Sequence, residues 1–197
     1  MIRVAIFASG EGTNAARLMD AFSAHPVIRV AALYSNNPEA GALTQAKQRS
    51  VASRVFNRDE LRNGAVLTCL RDDDIHWLVL AGFLWLIPAD ILKAYPGRII
   101  NIHPALLPKF GGKNMYGAYV HKAVKMAGEK RSGITVHFVD ERYDHGETIE
   151  QVVCELDPAD DVAAIESKVR ALEKEHFPGI VERVIVSADG ARPGKEG

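Results

Sequence analysis

Apolar positions fall into two rhythms along this chain of 197 residues. Near-continuous runs rich in β-branched residues occupy 2–8, 28–34, 52–56, 77–81 and 98–102. Such runs suit strands covered on both faces, as in a parallel sheet. Helical stretches lie between them at 14–24, 39–49, 58–72 and 88–93. Strands alternating with helices predict right-handed crossovers and an α/β fold: an open, mostly parallel twisted sheet with flanking helices and a Rossmann-like N-terminal half.

The rhythm changes after His103. HPALLPKFGGKN is dense in Pro and Gly and predicts a functional loop after the fifth strand. A short helix over 118–126 precedes two strands, 133–139 and 148–156, so hairpin pairing extends the parallel half into a mixed sheet. Residues 162–184 form the longest helical stretch, with Ile165, Val169, Leu172, His176 and Ile180 three or four apart and an interruption expected near Pro178. The expectation is one domain over 1–190, with halves of about 1–100 and 101–190, and a flexible tail at 191–197.

Composition narrows the function. Lys and Arg number 24 against 25 Asp and Glu, so no cationic excess points to nucleic acid, and any anion must be met locally. The first apolar run stops at Gly10, too short for a bilayer span and without a cleavage pattern, which reads as a cytoplasmic protein without a membrane partner. Cys69 and Cys154 have no metal-ligand spacing around them and read as reduced, buried thiols; no metal is expected.

Gly10-Glu11-Gly12-Thr13-Asn14-Ala15 follows the first strand and opens a helix, where backbone amides bind phosphate. The spacing also satisfies G-x-G-x-x-A, but a dinucleotide needs an acidic residue at the next strand end, and that end reads Tyr34-Ser35-Asn36-Asn37. A plain tight turn, with Thr13 or Asn14 as helix N-cap, is the bland alternative. Asn101 and His103 stand two apart at the end of the fifth strand, on one face and exposed, with Ile100 and Ile102 packed behind them. An amide beside an imidazole polarises a carbonyl and holds an oxyanion, which is acyl-transfer chemistry without a covalent enzyme intermediate. Asp144 is the carboxylate available to orient the histidine and help an attacking amine lose its proton.

AGFLWLIP, NIHPALLPKF and GITVHFVDERYDHGETIEQ occur in the order and spacing of the folate-dependent formyltransferases, and the chain resembles that family over nearly its whole length. The likeness is strongest to members that formylate glycinamide ribonucleotide in purine synthesis, which share GxG[ST]N after the first strand. The resemblance implies 10-formyltetrahydrofolate as co-substrate and direct attack of the glycyl amine on the formyl carbon, in a monomer or homodimer. It implies that Asn101 holds the formyl oxygen, that His103 donates a proton, and that Asp144 keeps His103 charged and relays the amine proton through water. It places the acceptor phosphate on Gly12, Thr13 and Asn14 and the ribose on Glu175. It lays the folate along Leu84, Trp85, Leu86 and Ile87 and the loop with Asp140, Glu141 and Tyr143, with Arg58 near its tail.

Three departures stand out. Trp85 occupies a position where many members have Arg, KFGGKNMYGAYVHKAV replaces the common PGLHxHxxAL form, and Asp144-His145-Gly146-Glu147 lacks the usual proline. The place of His121 is left open by the altered loop, and His137 reads as a hydrogen-bonded structural histidine. Transfer to another amine, such as a nucleotide sugar, and a dinucleotide-binding module without chemistry are the alternatives.

Overall fold

The computed structural model describes residues 1–190; the expected flexible tail lies outside the described residues. Seven strands form one open sheet in the order β3-β2-β1-β4-β5-β6-β7. They are β1 (Ile2–Phe7), β2 (Ile28–Ser35), β3 (Ala52–Val55), β4 (Trp77–Leu80), β5 (Ile99–His103), β6 (Arg131–Phe138) and β7 (Thr148–Glu155). The first five are parallel, and β6 and β7 add antiparallel pairs beside β5. This is the mixed sheet that the two rhythms predict.

The helices are α1 (Thr13–Ala21), α2 (Gly41–Gln48), α3 (Arg58–Arg62), α4 (Ala65–Asp72), α5 (Ala89–Ala94), α6 (Ala118–Met126) and α7 (Val162–Gly190). Two apolar layers result. One joins α1, α2 and α7 to the sheet through Leu18, Ile100, Ile102, Val169, Phe177 and Ile185. The other joins α3, α4 and α5 through Phe7, Leu61, Leu70, Ile91 and Ile99. Each fully buried aliphatic side chain in these layers contributes about 2 kcal/mol.

Several boundaries differ from the sequence expectation for physical reasons. The stretch 58–72 divides into α3 and α4 because Gly64 adopts φ 87 and caps the second helix. Every residue of β3 is exposed, since this strand is the edge of the sheet and only one side of it is paired. Helix α7 runs through Pro178 without a break. Phe177, Ile180 and Val181 are all buried there, and that packing outweighs the roughly 3 kcal/mol that an internal proline costs. Cys69 and Cys154 are free, and both are only partly buried. Among the described residues no helix is long and apolar enough to cross a membrane.

Candidate active site

Parallel strands bring their C-terminal ends to one edge of the sheet, and the loops after β1, β2 and β4 meet there. Ser9 ties them together: its hydroxyl donates to Asn36 Oδ1 at 2.7 Å and accepts from Leu84 N at 3.1 Å, while its amide donates to the Gly82 carbonyl at 3.1 Å. The glycine loop therefore sits on a stitched platform, with amide side chains and no carboxylate at the end of β2.

Gly12 has φ 78 and lies so close to Ala42 of α2 that a Cβ there would collide with its backbone. It is also the N-cap of α1, and no side chain caps the helix. Thr13 and Asn14 are thus helix residues rather than caps, and the first-turn amides lack intrahelical carbonyl partners, an arrangement that receives an anion. Arg170 of α7 reaches this loop, 3.7 Å from Glu11 and 2.7 Å from Glu166.

The carboxyl expected to meet the ribose is Glu175. Glu175 is exposed, with its nearest charged neighbour His176 at 3.9 Å. Glu173, one turn before Phe177, is the carboxyl beside the loop, where the Asn14 side chain favours its charged form. Burial pushes its pKa up, against the opposing pull of Asn14 and Arg170.

At the end of β5 the antiparallel register sets Asn101 opposite His137 and His103 opposite Thr135. Asn101 Nδ2 lies 3.0 Å from His137 Nε2 and donates over 3.4 Å to Asp144 Oδ1. His137 Nδ1 lies 2.7 Å from the Phe138 carbonyl, which can only accept. His137 therefore carries a hydrogen on Nδ1 and turns Nε2 toward both Asn101 and Asp144, 3.7 Å from Asp144 Oδ1. The histidine read as structural is part of the site, and the cross-strand pairing that reveals it cannot be placed from one strand's spacing.

His103 Nδ1 faces Asp144 Oδ2 at 3.4 Å, and its Nε2 donates to the Phe110 carbonyl at 2.8 Å. The residue is 3% exposed, so it is a buried group and not one of an exposed pair. Burial lowers its pKa; Asp144 and the Phe110 carbonyl oppose this without fully reversing it, and His137 adds to it. Asp144 thus favours charge on His103, but burial is the larger effect and the net shift is downward.

Asp144 adopts φ 51 and receives the Gly112 amide on Oδ2 at 2.9 Å. Burial favours its neutral form, yet His137, His103 and the Gly112 amide together hold its pKa below the usual carboxylate value. The adjacent Gly111 packs on Asp144 and Leu107, leaving no room for a Cβ. The pair of glycines in PKFGGKN lets the backbone approach this carboxylate.

A model of the formyl transferase family matches residues 2–181. The chain belongs to the formyl transferase family. It is 34% identical to the phosphoribosylglycinamide formyltransferase of Bacillus subtilis (strain 168), over 94% of this chain and 95% of the relative. It is 39% identical to the chloroplastic phosphoribosylglycinamide formyltransferase of Arabidopsis thaliana over 76% of this chain. The chain spans 53% and 64% of the length of two chloroplastic relatives, the second from Vigna unguiculata. The crystal structure of glycinamide ribonucleotide transformylase 1 from Geobacillus kaustophilus is similar with a TM-score of 0.85 at 35% identity, covering 93% of this chain and 98% of that one.

Family membership implies a folate-derived formyl donor. The segment expected to hold it leaves β4 beside the cluster. Leu84 and Leu86 are 42% and 41% exposed, whereas the Ile87 side chain is buried in the core, so only its backbone can meet a ligand. Trp85 packs edge-on against Phe56 and carries the Arg58 guanidinium 4.7 Å from its ring centroid. An aromatic face that holds a cation replaces the arginine of many family members. Asp140 pairs with His145 at 2.7 Å, and Glu141 and Tyr143 are exposed on the same loop as Asp144.

Proposed function

We propose that this formyltransferase moves the formyl group of 10-formyltetrahydrofolate to the glycyl amine of glycinamide ribonucleotide. The observation that carries this reading is the joining of Asn101, His103 and Asp144 in one partly buried cluster on the same sheet edge as an uncapped glycine-loop helix. The names of the relatives over most of the chain support it.

The amine attacks the formyl carbon and a tetrahedral oxyanion forms. Asn101 Nδ2 and the charged form of His103, whose second proton sits on Nδ1 facing Asp144, stabilise that oxygen, while Asp144 accepts the proton that the amine releases. The nitrogen of the folate then leaves with the proton that Asp144 had accepted, and the products are the formamide and the unformylated folate. Nε2 of His103 takes no part, because the Phe110 carbonyl occupies it. The acceptor phosphate lies on the amides at Gly12, Thr13 and Asn14 with Arg170 nearby, and Glu173 takes the ribose role first expected of Glu175. Leu84 to Ile87 and the loop of Asp140, Glu141 and Tyr143 border the folate, with Arg58 held toward its acidic tail by Trp85.

The test is transfer by the purified chain with both substrates. Formylated glycinamide ribonucleotide that appears only when the folate is present is expected. No folate-dependent product would overturn the proposal.

A further inference from the structure

We infer that Gln151 of β7 is a positioning residue for His103, acting through the loop that follows β5. Gln151 Nε2 donates to the Leu107 carbonyl at 2.8 Å and to Thr135 Oγ1 at 2.9 Å. Thr135 is fully buried; its hydroxyl donates to the Ala105 carbonyl at 2.7 Å and accepts from Leu107 N at 3.0 Å. With Gln151 in place the hydroxyl uses its one hydrogen and both lone pairs. Residues 105–107 are thereby tied to β6 and β7 at three points.

Three residues further on, Phe110 adopts φ 57, a left-handed conformation that a non-glycine residue holds only when its surroundings enforce it. That turn aims its carbonyl at His103 Nε2. Because a carbonyl only accepts, the neutral ring keeps its hydrogen on Nε2 and leaves Nδ1 toward Asp144. The Thr135–Gln151 clamp sits at the start of this loop and fixes where its far end can reach. Gln151 is exposed, so it is not retained by core packing.

The charged and titratable groups acting on His103 are Asp144, His137 and, more distantly, His121. Gln151 is uncharged and touches none of them through the contacts above. A change in the His103 ring on replacing Gln151 must therefore pass through the loop. This inference rests on the proposed reaction only for its kinetic consequence.

The test measures histidine ring ¹⁵N signals of the unliganded, full chain across pH, beside formyl-transfer kinetics. It uses Gln151→Met, Thr135→Val and the conservative Thr135→Ser, with circular dichroism confirming that each folds. In the parent chain His103 is expected as the Nε2–H tautomer. Gln151→Met is expected to populate the Nδ1–H tautomer, to lower the His103 titration midpoint through loss of the Phe110 contact, and to lower kcat about tenfold with both KM values within about twofold. Thr135→Ser should retain the parental signals. Unchanged His103 tautomer and midpoint in folded Gln151→Met would overturn the inference, whatever the activity. A changed tautomer in a chain whose parent shows no formyl transfer would uphold the positioning role and reject the proposed reaction.

Discussion

Glu173 and Glu175 stand two positions apart on α7 and point to different sides, since two residues turn a helix by about 200°. Glu173 lies on the stripe of Val169 and Phe177, four residues away in each direction, and so shares the face that packs on the sheet. Glu173→Gln is therefore expected to raise the KM for glycinamide ribonucleotide about tenfold with little change in kcat, whereas Glu175→Gln should leave both within about twofold. Steady-state kinetics with varied acceptor distinguish them, and equal effects would contradict the assignment. The spacing that identifies Glu173 is present in the sequence, because Val169 and Phe177 are both apolar and bracket it. Asn101, His103 and Asp144 were legible from strand-end chemistry and resemblance together. His137, the Gly112 amide and the Phe110 carbonyl were not, because each joins the site through cross-strand register or a loop conformation that no periodicity encodes.

Elements with a single dominant cause were the most legible. Strands β1, β2, β4 and β5 follow from apolar runs, and each begins or ends within a residue of its expected bounds. Misreadings arise where two causes compete: a glycine divides 58–72, edge position exposes β3, and core packing carries α7 through Pro178. The turn between β1 and α1 unites two demands, since Gly12 takes a positive φ, packs on Ala42 and leaves α1 uncapped by any side chain. Gly12→Ala should accordingly destabilise the fold by about 2 kcal/mol and also raise the acceptor KM. Denaturant unfolding and kinetics on the same preparation measure both. A loss of stability without any effect on the acceptor would confine the loop to packing.

The whole molecule holds four perturbed acids and bases, His103, His121, Asp144 and Glu173, and these couple its stability to pH. Burial holds His103 and His121 below the usual imidazole value of 6.5, so between their folded values and 6.5 the unfolded chain binds more protons. Stability is then full above 6.5 and declines as pH falls through that window. The lowered Asp144 acts in the same direction below 3.8. Glu173, raised above 4.5, has the opposite sign, because the unfolded chain loses that proton first as pH rises. Replacing His121 with Gln isolates one contribution: the acid-side fall in melting temperature below pH 6.5 should become shallower than in the parent, and an identical slope would show that His121 does not contribute. Alternating strands and helices made the sheet legible, but the approach of α6, α7 and the loop 104–117 to its edge depends on packing between distant segments. The central claim is that this edge performs formyl transfer with Asp144 as proton acceptor. Its most direct test is single-turnover formylation of glycinamide ribonucleotide by the parent and by Asp144→Asn, with folate-analogue binding measured on both. The expected result is a fall in rate of about a thousandfold or more with analogue affinity kept within a few fold. Full activity in Asp144→Asn would contradict it.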